Sequence, residues 1–251
     1  MAERSLIVRR ENTVGFVAST VDILLREKPE LLAEFVMRML GDGTVRNTPA
    51  YLASEFENHI RFHKLVEELF GFKPKIYRKK NYFRTNLTRI CGHVLNKLGI
   101  PSGPKSITNP HIPHFIMESE ELSVVKSAVL GFFDDEAYAS KKILEVGVAV
   151  RVYNAPIEQI HEIFGIKRSI GVKRLLQFFP QIELPKSNII FDLSKLLDRL
   201  SIKHKVAPTH FNVNKNSLSI TWKIMISNQT SLKKVRELGL LSLPDKFKRI
   251  I

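Results

Sequence analysis

The chain has a single cysteine, Cys91. One thiol excludes an internal disulfide and a cysteine-built zinc cluster, and it suits a reducing compartment. Long apolar runs are missing too. The longest are broken by charge, as at Lys126, and fall short of a membrane span. The first twenty residues carry Glu3, Arg4, Arg9, Arg10 and Glu11 and no apolar core, which argues against a secretory signal. The expectation is a cytoplasmic protein with no membrane partner. Histidines form no ligand cluster: His111 and His114 lie in a proline-rich stretch, apart from His59 and His63. Acid is scarce. Against 39 Lys and Arg stand 25 Asp and Glu, a formal charge of +14 over 251 residues. That balance points to a polyanionic partner, of which nucleic acid is the commonest.

Given that scarcity, the segment "AVLGFFDDEAYA" (128–139) is unexpected. Three consecutive acids, Asp134, Asp135 and Glu136, close an apolar, helix-like run. A helix C-terminus carries partial negative charge, so carboxylates there lose stability, and adjacent acids repel one another. A bound cation would relieve both. The segment "LLAEFVMRMLGDGTV" (31–45) has the same form, an apolar helix that ends in Asp42 before Gly43.

The segments downstream of the two acids also repeat. "HKLVEELFGFKPKIYRKKNYFR" (63–84) returns as "LSKLLDRLSIKHKVAPTHFNV" (193–213) with one residue dropped, so that Lys73, Lys75 and Ile76 match Lys203, Lys205 and Val206. Each copy reads as an amphipathic helix and then a basic strand. Further on, 83–101 and 222–244 each read as a strand, then a helix ending in Leu-Gly and a proline. The predicted organisation is an N-terminal extension (1–28), a first repeat (29–100), a linker with four prolines (101–118) and a second repeat (119–251). The repeats differ in length, 22 residues from Asp42 to Lys64 against 59 from Glu136 to Lys195. The excess includes a helical insertion at 155–180. It reads either as a helix-turn-helix whose second helix faces DNA or as a helical insertion with a basic solvent face. The fold expected is α/β (α+β), two pseudo-symmetric αββαββα repeats with saddle-shaped antiparallel sheets. The motif helices would meet at a pseudo-twofold interface, in a monomer with an internal pseudo-dimer.

With these features the sequence resembles the LAGLIDADG homing endonucleases in their single-chain, two-motif form. "FVMRMLGDG" (35–43) and "VLGFFDDEA" (129–137) stand for the two motif helices, and the run from 98 to 136 is similar to archaeal members. The resemblance implies a site-specific, metal-dependent hydrolysis of double-stranded DNA by an intron-encoded enzyme. Asp42 and Glu136 would ligate Mg²⁺, with Mn²⁺ as a substitute, across the scissile phosphates. Oxygen ligands and a hard cation suit phosphodiester hydrolysis. Asp135 would contribute mainly its backbone, and Asp134 would be structural or stand just outside the ligands. A basic residue near the phosphate is implied as well, and Arg84 and Lys223 hold matching places in the two repeats, with Lys141 and Lys142 just after the second acid. Arg46, Lys73, Lys75, Arg78, Lys79, Lys80, Arg84, Lys203 and Lys205 make up the expected DNA-binding surface. Two departures favour an alternative. Met37 stands where the family prefers a glycine for close helix crossing, and Ala137 replaces the glycine after the acid. Both suit a non-cutting DNA-binding regulator built on the same fold. An RNA-binding maturase is a further alternative, because phosphate-binding surfaces serve either nucleic acid. Trp222 and Cys91 read as core residues.

Overall fold

Nine consecutive residues, Leu32 to Leu40, are buried, so this helix has no solvent face and must sit inside the molecule. The computed structural model describes residues 13–46, 48–243 and 246, with side chains from Thr20 onward. The charged residues at 3–11 and the proline at 244 lie outside the described residues. Helix α1 (Thr13–Glu27) packs on the buried helix α2 (Pro29–Leu40), which Pro29 opens with a pre-set φ. The first half continues with β1 (Gly43–Thr44), β2 (Ala50–Ala53), α3 (Phe56–Phe70), β3 (Ile76–Arg78), β4 (Phe83–Asn86) and α4 (Arg89–Lys97). The linker holds two short helices, α5 (Lys105–Thr108) and α6 (His114–Met117). The second half comprises α7 (Leu122–Glu136), β5 (Ala137–Ala139), β6 (Leu144–Val152), α8 (Ile157–Phe164), β7 (Arg168–Gly171) and α9 (Val172–Phe178). It closes with α10 (Asn188–Arg199), β8 (Lys205–Asn214), β9 (Ser217–Ile226) and α11 (Gln229–Glu237).

The fold is mixed α/β with two antiparallel sheets, ordered β1-β2-β4-β3 and β5-β6-β9-β8-β7. Leaving aside the insertion, each half runs αββαββα. Strand register aligns the halves residue by residue. Gly43 pairs with Tyr51 and Ala137 with Val146, each one position after the acid. Tyr51 pairs with Thr85, which pairs with Ile76; Val146 pairs with Ile224, which pairs with Val206. Ile76 and Val206 are therefore equivalent, the same match that the Lys-x-Lys repeat predicts. Both halves end in the same cap, a glycine of positive φ after the last helix, Gly99 (φ 90°) and Gly239 (φ 66°).

Helices α2 and α7 lie side by side and run in the same direction. Ser123 donates to Glu30 near their starts, and Arg38 reaches Asp134 and Asp135 near their ends. Gly131 sets the crossing, since a Cβ there would lie 2.7 Å from the Glu34 carbonyl oxygen. Gly131→Ala should therefore force the helices apart and cost about 1–3 kcal/mol, read as a lower denaturant midpoint. The opposite departure, Met37, is fully buried.

Each sheet buries one face under helices α3 or α10 and leaves the other open. On the buried face of the first sheet Tyr51 stacks on Phe62, and His59 bonds Thr85, so His59 is a satisfied core histidine. Trp222 is buried and donates from Nε1 to the Pro185 carbonyl at 2.8 Å; Cys91 is fully buried. The insertion departs from a helix-turn-helix. Between α8 and α9 the chain turns at Gly165 (φ 81°) and extends into β7, which joins the edge of the second sheet against β8. Ile170, paired with the core residue Phe211, anchors this strand, and a segment spent on sheet pairing cannot form the tight turn of that motif. No helix of the described residues is long and apolar enough to cross a membrane.

Candidate active site

The two motif ends meet at the foot of the α2–α7 pair. A Cβ on Gly41 would lie 3.1 Å from Asp135 Cβ and 3.4 Å from Glu136 Cγ, so Asp42 and Glu136 leave the helices beside one another. Gly43 is required where it stands, since a Cβ there would meet the Met39 backbone at 2.5 Å. Asp42 holds its place through its backbone, accepting a hydrogen bond from Leu52 N at 3.1 Å.

The remaining acids of the triple are spent on one arginine. Arg38 is fully buried; it donates to Glu34 at 3.0 Å, to Asp135 at 2.8 Å and to Asp134 at 2.9 Å. Asp134 also accepts from the Ser242 amide at 2.8 Å and from its hydroxyl. These bonds to Arg38 and Ser242 make it structural, the first of the two roles expected for it. Asp135 differs from the expectation of a backbone role. Its Oδ1 accepts from Tyr51 Oη at 2.6 Å as well as from Arg38, while Oδ2 is buried without a hydrogen-bond partner. Burial pushes Asp135 up to about 8 against the pull of Arg38.

Two lysines that belong to none of the paired αββαββα elements close the site. Lys105, on linker helix α5, donates to the Leu40 carbonyl at 2.9 Å and so caps the end of α2. Lys246 donates to the Asp134 carbonyl and, at 3.3 Å, to that of Asp135, capping α7. Part of the positive charge that the acid-ended helices lack is therefore lysine, placed where a cation opposes the helix dipole. Neither lysine is legible in the repeats. One sits in a proline-rich linker and the other in the C-terminal tail.

These ammonium groups do not cancel the acids. Burial first, and then repulsion from Glu136, push Asp42 up to about 7 despite Lys105 and Lys246. Burial also raises Glu136, and the two lysines pull it back. Lys105 and Lys246 are each lowered by burial. An acid raised in the folded state binds more protons folded than unfolded. The stability it contributes is full below about pH 4, the unfolded value, and is lost as pH rises through the folded value. The metal-free protein should therefore lose melting temperature progressively as pH is raised from about 4 to about 7 or 8, and level off above that, where Asp42 and Asp135 are ionised in both states.

Among the described residues no group of three or more His, Cys, Asp or Glu converges as a metal cluster. The acid pair still fits a hard divalent cation. All its donors are oxygens, mutual repulsion persists at Asp42, and the orphaned Asp135 Oδ2 lies against the same glycine. Magnesium takes one or two carboxylates and completes its shell with water and substrate phosphate, so a third protein ligand is not required.

The structure brings Arg84 and Lys223 to equivalent register positions, paired with Leu52 and Gly147 respectively, each one residue past the partner of the acid-adjacent strand residue. Both are on the open faces. Arg84 donates to Asn86 at 2.7 Å, and Lys223 pairs with Glu145 at 2.8 Å. Lys75, Lys79, Lys80, Lys203 and Lys205 are exposed. Lys73 pairs with Glu67 at 3.1 Å. Arg78 alternates onto the helix-covered side with Phe83, whereas its neighbour Tyr77 joins Arg84 on the open side. Arg46 is exposed after β1 and lines a polar groove of about 300 Å³ with Arg89, His93 and Asn96. The open faces also carry polar residues on β6, β8 and β9 that the two motifs do not include, and the apolar alternation of 144–152 and 217–226 is the signal that marks them.

No family model matches the chain, and no curated protein matches it. Solved structures do. Mesophilic variants of the homing endonuclease I-DmoI align over 86% of this chain and 95% of theirs, at 12% identity and a TM-score of 0.49. The N-terminal LAGLIDADG domain of DUF199/WhiA aligns over 99% of this chain and 100% of its own, at 12% identity and a TM-score of 0.48. The homing endonuclease I-WcaI, solved bound to its DNA recognition sequence, aligns over 98% and 95%, at 12% identity and a TM-score of 0.45.

Proposed function

We propose that the protein is a site-specific, divalent-metal-dependent endonuclease of double-stranded DNA, of the LAGLIDADG homing type and intron-encoded. The observation that carries this reading is the meeting of Asp42 and Glu136 at the foot of a parallel helix pair, each acid leading into a sheet with an open polar face. Asp42 and Glu136 would hold Mg²⁺ or Mn²⁺, which on binding supplies Lewis-acid neutralisation of phosphate charge.

The chain's own residues do the rest. Arg84 and Lys223, one per half, are available to stabilise charge developing on the phosphorane of either strand. Lys105 and Lys246 hold the helix ends and restrain the repulsion between the acids. The exposed lysines of the strands and hairpins bind the duplex backbone. Lys105→Met removes the larger of the two lysine attractions that hold Glu136 down. It should move the midpoint of cleavage rate against pH upward, because the acids then ionise later.

One observation favours a second reading, a DNA-binding regulator that does not cut. Lys105 and Lys246 already relieve the helix ends from which a metal-free relic would suffer. Affinity for duplex DNA and for folded RNA over a salt series tests the partner. Duplex affinity should fall steeply with salt and exceed that for RNA. Stronger binding to folded RNA would instead support the maturase.

A further inference from the structure

The insertion leaves a sheet edge uncovered. Strand β7 is the outermost of the second sheet, with β8 on one side and no strand on the other. Among the described residues no backbone hydrogen bond other than the ladder with β8 reaches 168–171, so the outward N–H and C=O groups have no backbone partner. Such edges pair readily with another chain and are normally blocked. The helices of the insertion are fixed around this edge. His161 of α8 donates from Nε2 to the Asn214 carbonyl at 3.0 Å, and Phe164 meets Phe178 of α9 edge-on, with ring centroids 5.3 Å apart.

Between α8, β7 and α9 lies a groove of about 300 Å³, whose lining includes Ile163, Phe164, Arg168 and Arg174. It is open at the end of the strand, where a Cβ on Gly171 would meet nothing within 4 Å. Its surroundings are apolar and cationic at once. Ile163, Ile166 and Phe178 are each about half exposed, a concentration of large apolar side chains that marks an interaction site. Lys167, Arg168, Lys173 and Arg174 are exposed and, among the described residues, stand in no ion pair; no carboxylate lines the groove. Arg168 and Ile170 pair with the buried residues Val213 and Phe211, so their side chains turn to the helix-covered face, opposite the open polar one. A duplex lying on the open face leaves this groove empty.

We propose that the groove docks an extended acidic segment of a partner protein, which adds as a sixth strand beside β7. The strand edge supplies main-chain hydrogen bonds, and alternate side chains of the segment turn into the groove, where carboxylates meet Arg168 and Arg174. Apolar residues between them cover Ile163 and Phe178. A second copy of the chain fits poorly, because edge-to-edge pairing sets Arg168 and its neighbouring cations against the same cations of the other copy. Nucleic acid fits poorly as well, because phosphate leaves the apolar side chains exposed to water. The proposal does not depend on whether the protein cuts DNA.

Selection of a displayed library of random peptides on the full chain tests it. The enriched peptides should intersperse acids with apolar residues, and Arg168→Glu combined with Arg174→Glu should weaken their binding by about tenfold or more. Both arginines are exposed, so the double variant should keep the wild-type melting temperature. In the wild type, hydrogen exchange at the amides of 168–171 should slow by about tenfold or more when an enriched peptide binds. Association through the net charge of +14 alone would not protect that edge. Enrichment of no peptide, equal binding by the double variant, or unchanged exchange at 168–171 would overturn the proposal. So would displacement of the peptide by duplex DNA, which would assign the groove to nucleic acid. A wild-type dimer whose dissociation exposes β7 would overturn it too, by giving the edge to a second copy.

Discussion

Arg38→Met should destabilise the protein by about 3–5 kcal/mol, because it strands buried carboxylates without their counter-charge. Arg38 is the common partner of Glu34, Asp134 and Asp135, and its side chain has no exposure. Methionine fills much of the volume but donates nothing. For a chain of this size the loss corresponds to a fall in melting temperature of about 10 °C. Arg61, a third exposed and paired with the same Glu34 and Asp134, is the contrast. Arg61→Met should cost no more than about 1 kcal/mol, since water screens and replaces that pairing. Adding Asp134→Asn and Asp135→Asn to Arg38→Met should recover part of the loss, since the buried charges are then removed together. Thermal unfolding of the four proteins checks this, and equal melting temperatures for the two arginine variants would contradict it.

Asp42→Asn and Glu136→Gln should each lower cleavage by about a thousandfold or more, equivalent to about 4 kcal/mol of transition-state stabilisation. Each substitution removes one charged oxygen donor from the pair and keeps the side chain's size. Neither should weaken duplex binding, because a carboxylate facing phosphate is repulsive and its loss relieves that repulsion. Asp42→Asn should in addition make the loss of melting temperature between about pH 4 and 7 shallower, since Asp42 is the group pushed up to about 7. Single-turnover cleavage and equilibrium binding on the same duplex separate the two effects. Equal losses of binding and cleavage would mean that the acids position DNA instead of holding a cation.

The two-repeat fold is legible because the signals are local and occur twice. The acid-ended apolar helices, the Lys-x-Lys strands and the Leu-Gly caps mark the two halves, and the strand register reproduces their alignment. The features that are not legible depend on contacts across the chain. Arg38 looks like an ordinary charged residue in an apolar helix, and only the approach of α7, 96 positions away, makes it the sink for two of the three acids. Lys105 and Lys246 carry no repeat to mark them. The acid-ended helices show in sequence that positive charge is needed there, but not that lysines meet part of the need. The insertion misleads for a local reason: Arg168–Gly171 is four residues with a glycine at its end, too short to show the period of a strand. Its membership of the sheet is decided by Ile170 packing in the core.

The most direct test is cleavage of a randomised-site duplex library with Mg²⁺, comparing the wild type with Asp42→Asn and Glu136→Gln. If the protein is the nuclease, the wild type cuts at one long site and each variant cuts there more slowly by about a thousandfold or more, with binding retained by all three. Tight binding by the wild type without cutting, unchanged in both variants, would contradict this and identify a regulator whose acids are held in place by lysine alone.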